Sequence, residues 1–417
     1  MNSHQLLLTN SLTFETKLLI ASVFVFCFAG LLFLNFLKKH SFFGLKKYFY
    51  VPARKSTTDA IQLGGLPLSL GILSGVLAIY NLEVFQFAFD QYQLKVIKYW
   101  CYSSSILVGY GYLDDKFELR PIVKLIFQFA TITIFSIMAS HMIYHRLSSA
   151  AFVVMFFFGM GVLNGSNLLD GLDTLTIKIS SVTFGALFVC GLNFSSMAVI
   201  ITSLISFSAL ASFYFFNKEP AKIHLGEIGG SFFGFTALLC SNLLFIDMVR
   251  SGHSRVDSFT MSLIPLVLPM VELGVSFLRR IYNKKSPFKG DKLHIHHILR
   301  NYHKFSASST SSLMGISYAW TMVMTLAVTH WFGPIVGFFT IGIALCSQYL
   351  AVGSKHWHTS KSIELSPKSL FNYLRKKEVS VINSQSIDSF EFHITEAHEE
   401  EKVIDDESED NIDKDAA

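Results

Sequence analysis

The chain has 417 residues, is 51% apolar and only 15% charged, and carries a formal net charge of +4. Such a composition excludes an ordinary soluble domain and points to a protein immersed in lipid. The small net charge hides an asymmetry: residues 398–417 are strongly acidic, so the remainder is basic.

A spanning helix needs about 20 predominantly apolar residues, and about eleven stretches approach that pattern. They lie near 18–37, 63–80, 97–113, 122–140, 149–164, 174–191, 195–216, 229–249, 258–278, 311–330 and 332–351. The expected fold is all-α, a polytopic membrane protein. Residues 1–16 lack a basic segment, and Lys38, Lys39, Lys46 and Lys47 follow the first apolar run rather than precede it. The first span is therefore read as retained, with its N-terminus outside. Residues 82–95 are too polar to span and read as an external connection. Residues 1–352 form one membrane domain; residues 353–417 are a cytoplasmic tail, acidic and disordered at its end.

In this topology the loops after odd-numbered spans carry most of the Lys and Arg, including Arg54, Lys55, Lys116, Arg120, Lys124, Lys218, Lys222, Arg279, Arg280, Lys289 and Lys292. The positive-inside rule makes those loops cytoplasmic. Every distinctive polar motif falls on that same side. Cys27, Cys101, Cys190, Cys240 and Cys346 lie in apolar runs without a CxxC pair, which argues against a disulfide framework or zinc ribbon. No basic-aromatic pattern calls for nucleic acid.

The motif between two apolar runs is Asn164-Gly-Ser-Asn-Leu-Leu-Asp-Gly-Leu-Asp173. If it is helical, Asn167, Asp170 and Asp173 share a face. Acids so near hydrocarbon are costly and usually functional. Asp114-Asp115 ends the third span, where the helix dipole already places negative charge, so a cation must offset the pair. Mg2+ with a phosphate is one candidate, because hard oxygen ligands suit it; Lys116, Arg120 and Lys124 are another. Gly226, Gly229 and Gly230 surround Glu227 at a helix start and resemble a phosphate-cradling turn. His294-Ile-His-His297 lies in the longest basic loop; His294 and His297 share a helical face, and His296 points elsewhere. No Cys or spaced carboxylate completes a zinc set, so phosphate or sugar contacts are the preferred reading.

Together these stretches resemble the polyprenyl-phosphate N-acetylhexosamine-1-phosphate transferases, a family that includes the phospho-MurNAc-pentapeptide translocase. The match is carried by Asp114-Asp115 with Lys124-Leu-Ile-Phe-Gln128, by Asn164-x-x-Asn167-x-x-Asp170-Gly-x-Asp173, by Leu225-Gly-Glu-x-Gly-x-Ser231 and by His294-Ile-His-His297. It covers roughly residues 15–350. The resemblance implies a Mg2+-dependent enzyme (Mn2+ as the substitute) in the inner membrane. Such an enzyme moves a sugar-1-phosphate from a UDP-N-acetylhexosamine to polyprenyl phosphate and releases UMP. It implies catalytic roles for Asp114, Asp115, Asp170 and Asp173. It implies metal binding by Asp115, Asp170 and Glu227, and donor or phosphate contacts by Asn164, Asn167, Lys124, Gly226, His294, His296 and His297. A homodimer is compatible with it. The His-Ile-His-His spelling favours a simple UDP-HexNAc donor, such as UDP-GlcNAc or a deoxy relative, over the pentapeptide branch. Other readings are a catalytically silent paralogue and a polytopic transporter, although transporter acids should cluster at the midplane. This chain departs from the family at Glu227, where Asp is usual, at Thr174, where Gly is usual, and at Gly230, where Ser is usual. Its first cytoplasmic loop matches only loosely, through Arg54, Lys55 and Gly64-Gly65.

Overall fold

The computed structural model describes residues 14–40, 45–52, 60–81, 89–144, 149–287, 291 and 293–353. Arg54, Lys55, Lys289, Lys292, residues 82–88 of the 82–95 connection and the tail from residue 354 lie outside them. The described chain is helical: α1 Phe14–Lys39, α2 Lys46–Phe49, α3 Gly65–Asn81, α4 Gln91–Phe117, α5 Pro121–Tyr144, α6 Ser149–Leu168 and α7 Leu175–Asn193. There follow α8 Met197–Asn217, α9 Gly226–Arg250, α10 Arg255–Leu263, a 3-10 turn at Ile264–Leu266, α11 Val267–Tyr282, α12 Ile295–Asn301, α13 Ala307–Phe332 and α14 Pro334–Gly353. The predicted apolar stretches fall on helices, except that 258–278 is broken by the 3-10 turn into α10 and α11. Among the described residues seven segments are long and apolar enough to cross a membrane, and Gly65–Asn81, Pro121–Ile137 and Phe152–Leu168 are shorter apolar helices. The chain is a multi-pass membrane protein. Among the described residues no strand forms, only isolated bridges between Pro52 and Ile61 and between Ile61 and Ile223.

Helix α9 is the hub. The apolar window of Gly226–Arg250 is 89% buried, against 22% for Glu15–Lys39 and for Pro334–Gly353. It packs on α3, α4, α6, α7, α8 and α10. Its partner α4 runs antiparallel, and aromatic contacts fill the seam: Trp100 lies 5.6 Å from Phe232 and 6.3 Å from Phe235, which meets Phe135 at 5.1 Å. A polar clamp closes one end of the pair. Asp90 caps α4 by accepting from the Tyr92 and Gln93 amides and ion-pairs with Arg250, which also lies over the Tyr92 ring. Gln93 and Ser196 both donate to the buried-side carboxylate of Asp247. In hydrocarbon a lone carboxylate is costly, so these donors are what make Asp247 tolerable.

Backbone contacts set the opposite end. Residues 60–65 zip alongside 222–225: Ile61 donates to Lys222, His224 to Ile61, Gly64 to His224 and Gly65 to Leu225, at 2.7–3.1 Å. The helices then approach so closely that a Cβ on Gly65 would strike the Gly229 backbone. Close approach through small residues is how helices pack where no hydrophobic drive acts between them. We expect Gly65→Val to destabilise the folded protein by about 1–3 kcal/mol through overpacking. Gly109→Ala, with nothing within 4 Å of the new methyl, should leave thermal stability in detergent unchanged or slightly raised. Equal melting temperatures for Gly65→Val and the wild type would refute this packing.

Candidate active site

At the C-terminal end of α4 two adjacent carboxylates turn different ways. Asp115, 1% exposed, accepts at Oδ1 from the Glu227 amide (2.9 Å) and from Gln62 (3.2 Å), and at Oδ2 from the Ile228 amide at 3.4 Å. It therefore sits on the N-terminus of α9, where exposed amides and the helix dipole favour negative charge. Gly226 makes this possible: its φ is +76°, and a Cβ there would meet Asp115 Oδ2 at 2.6 Å and crowd the Gln62 carbonyl. The glycine turn read as a phosphate cradle thus already holds an internal anion.

Asp114 accepts from the Leu119 amide at 2.8 Å and, through Oδ2, pairs with Lys124 at 2.7 Å. Lys124 also reaches Glu227 Oε2 at 3.3 Å, and Asn167 donates to Glu227 Oε1 at 2.7 Å. An ordered line runs Asp114–Lys124–Glu227–Asn167, drawn from α4, α5, α9 and α6. Lys124 supplies the cation that paired acids at a helix end require. A Cβ on Gly230 would lie 2.8 Å from Asn167 Oδ1. Glycine, where the family has Ser, leaves room for that amide.

The acidic stretch is not one helix, so the condition for Asn167, Asp170 and Asp173 to share a helical face is not met. Helix α6 ends at Leu168, and Asp170 and Asp173 occupy the turn before α7. The exit is made by short-range bonds from Leu169 to Ser166 and from Asp170 to Asn167, both 3.2 Å. Asp170 accepts from Thr176 at 2.7 Å. Burial pushes its carboxyl up to about 6; Thr176 opposes the shift, and the nearby charges of Glu227 and Asp173 add to it. Asp173 accepts from the Ala221 amide at 3.1 Å and faces His224 at 3.7 Å. Burial lowers the pKa of His224, and Asp173 offsets only part of that. Thr174 adopts φ 62°, unusual for a β-branched residue. The Asn217 side-chain Oδ1 accepts from the Thr174 amide at 2.7 Å, and the Thr174 hydroxyl bonds Ser311 at 3.0 Å. These bonds hold the strained conformation that glycine would adopt without cost.

The histidines close the site. His294 caps α12 in an extended conformation, so all three rings cluster: His294 lies 5.7 Å from His296 and 6.0 Å from His297, and His296 lies 4.2 Å from His297. This corrects the reading in which His296 points away. His296 is buried, and a Cβ on Gly171 would strike its Nε2. Burial first, then His297 and His294, keep its pKa well below the usual histidine range, so the ring is neutral at physiological pH. Behind it, Arg279 and Arg280 hold Asp291, whose carboxyl they lower against the opposing effect of burial.

The fold therefore brings Asp114, Asp115, Lys124, Gly226 and Glu227 together with Asn167, and sets His296 against the Asp170–Asp173 turn. Asn164 turns back to its own helix, donating to the Met160 carbonyl at 2.8 Å. No group of three acids or histidines converges as a metal cage among the described residues; Asp115 in particular is committed to α9. Sequence reading missed Gln62, Thr176 and Glu272. A lone Glu in the 258–278 apolar run was the available signal for Glu272.

Residues 97–244 match the sequence model described as Glycosyl transferase family 4. The chain is 26% identical, over 70% of its own length and 80% of the relative, to the probable undecaprenyl-phosphate N-acetylglucosaminyl 1-phosphate transferase of Bacillus subtilis (strain 168). It is 24% identical to the undecaprenyl-phosphate alpha-N-acetylglucosaminyl 1-phosphate transferase of Yersinia pestis, over 54% of this chain and 65% of that one. It is 30% identical to the phospho-N-acetylmuramoyl-pentapeptide-transferase of Dictyoglomus thermophilum, over 45% and 61%. Residues 97–244 are thus similar to glycosyl transferase family 4, and the names of these relatives indicate an enzyme of the glycosyl-1-phosphate transferase kind.

Proposed function

We propose that this enzyme transfers an N-acetylhexosamine-1-phosphate from a UDP-sugar, UDP-GlcNAc or a deoxy relative, to polyprenyl phosphate. This would be the first membrane step of a lipid-linked glycan of the O-antigen, common-antigen or teichoic-acid type. The observation that carries the reading is the convergence of separate motifs on one end of the α4–α9 pair: Asp114, Lys124, Glu227 and Asn167 in a bonded line, with the Asp170–Asp173 turn and the histidines beside it. The basic loops around this end favour a cytoplasmic face, with the N-terminus outside. The lipid acceptor would then meet a soluble nucleotide-sugar at the inner-membrane surface.

An oxygen of the lipid phosphate attacks the donor's β-phosphorus, the bond to the α–β bridging oxygen breaks, and UMP leaves. Such transfers depend mostly on positioning and charge neutralisation. Lys124, half-buried between Asp114 and Glu227, draws the lipid phosphate as a point charge. Asp114 Oδ2, bonded to that ammonium, is the carboxylate best placed to take a proton from an arriving phosphate; Asp115 fixes the helix that carries Glu227. Asp170, Asp173 and the Asn167 carbonyl offer oxygen donors whose chemistry fits Mg2+ or Mn2+. Asp170, whose Oδ1 accepts from Thr176, would hold the ion, which neutralises pyrophosphate charge when bound. His296 and His297 are placed to meet the donor. The pentapeptide branch is the second reading, favoured by the 30% identity to one such enzyme.

The test uses sealed vesicles with polyprenyl phosphate, Mg2+ and a panel of impermeant UDP-sugars. UMP release is expected with a UDP-HexNAc, and only when the basic loops face the donor. No release under conditions where a relative works would overturn the reading. Asp114→Asn and Asp170→Asn should each lower release by about 100-fold or more while the protein stays folded; near-normal rates would reject those roles.

The pH dependence follows from Asp170, whose carboxyl lies near 6 rather than 3.8. Protonated below that value, it is a poor ligand, so Mg2+ affinity should rise as pH increases through about 6 and level off above. Without the ion the sign reverses for stability. The raised pKa contributes stability below about 3.8, and that contribution is lost as pH rises through about 6. Asp170→Asn should therefore weaken Mg2+ binding yet stabilise the metal-free protein at pH 7.5, both readable by thermal denaturation. A destabilised Asp170→Asn protein would contradict this assignment.

A further inference from the structure

We propose that Glu272 is a positioning residue that orients His294, and through it the histidine cluster, toward the acidic turn. Glu272 lies on α11 in an otherwise apolar run and is 0% exposed. A carboxylate there is costly unless a specific partner holds it. The partner is His294: Glu272 Oε1 lies 2.7 Å from His294 Nδ1, and Ser276, one turn further along α11, lies 3.2 Å from the same nitrogen. A carboxylate can only accept, so this contact puts the proton of His294 on Nδ1. The other nitrogen faces Asp291 Oδ1 at 3.9 Å.

Two different tasks are divided along α11. Arg279 and Arg280 fasten the loop itself: Arg279 donates to the Leu293 carbonyl and to Asp291, and Arg280 to Asp291 and the Pro287 carbonyl. Glu272 bonds the His294 ring instead of the loop backbone. That ring lies nearly parallel to His296, at 7° and 5.7 Å, and His296 abuts Gly171 in the acidic turn. Rotation of the first ring would disturb the second, which is buried and has little space to adjust. Glu272 therefore reaches the Asp170–Asp173 turn through two stacked imidazoles without touching it.

This inference rests on the reading in which the histidines meet the nucleotide-sugar. Glu272→Gln keeps the shape and removes the charge; Glu272→Leu removes the bond. UMP release is measured with donor and acceptor varied in turn. Donor KM should rise about tenfold, more for Leu than for Gln, as expected when a charge-assisted bond is lost. Acceptor KM should stay within twofold. A purely structural role would instead shift both substrates together or lower only the amount of folded enzyme. If the Leu variant fails to fold, the Gln variant decides. Donor KM unchanged in folded Glu272→Gln overturns the proposal. A second readout needs no activity: in protein labelled with 15N-histidine, one Nδ1-protonated ring signal, absent from His294→Gln, should change in Glu272→Gln. Identical ring spectra in wild type and Glu272→Gln also overturn it. Absence of UMP release from the wild type would count against the proposed function, and the ring spectra would still decide the role of Glu272.

Discussion

One contact organises the molecule: the Asp115 carboxylate seated on the first amides of α9. Capping a helix with a side-chain acid contributes about 1 kcal/mol in an ordinary setting. Here it does more, because the donors and the acceptor are all nearly out of water. Unpaired, the amides of Glu227 and Ile228 and the acid itself would each carry a desolvation cost. The contact also fixes direction. It sets the end of α4 against the start of α9, so the acid before it, Asp114, and the acid after the cap, Glu227, come within reach of the one ammonium of Lys124. At the far end Asp90, Gln93, Asp247 and Arg250 lock the same two helices. The pair is pinned at both ends, and the candidate site stands at the end that holds the excess acid.

That arrangement explains how so many carboxylates coexist beside hydrocarbon. Each is given a different compensation: backbone amides for Asp115, Lys124 for Asp114 and Glu227, Thr176 for Asp170, an amide and His224 for Asp173, and two arginines for Asp291. Asp170, compensated by a single hydroxyl, has its carboxyl moved up toward neutrality by burial. A group poised in that range responds most to an arriving cation.

Much of this was legible in the sequence, because apolar run length is a strong signal in lipid and because charged side chains are too costly there to be incidental. The helices fell where the runs lay, and the motifs met on one end of the bundle. The rest depended on pairings far apart along the chain. Nothing in Gly226-Glu-Ile-Gly-Gly230 says that its anion is Asp115, 112 positions away from Glu227, rather than a phosphate. Nothing local makes Asn217 and Ser311 the supports that let Thr174 take a left-handed backbone. Whether Asn164 to Asp173 is helical stayed open, because spacing alone cannot show where α6 stops. Glu272 was visible as a lone acid in an apolar run, but its meaning required the position of His294.

The central claim, that the Asp115 carboxylate holds the start of α9 and so sets Glu227, is tested most directly by amide hydrogen exchange in wild-type and Asp115→Asn protein. The expected result is faster exchange confined to Glu227, Ile228 and the first turn of α9, with the α9 segment near Asp247 unchanged. Equal protection of Glu227 and Ile228 in both proteins would contradict the account.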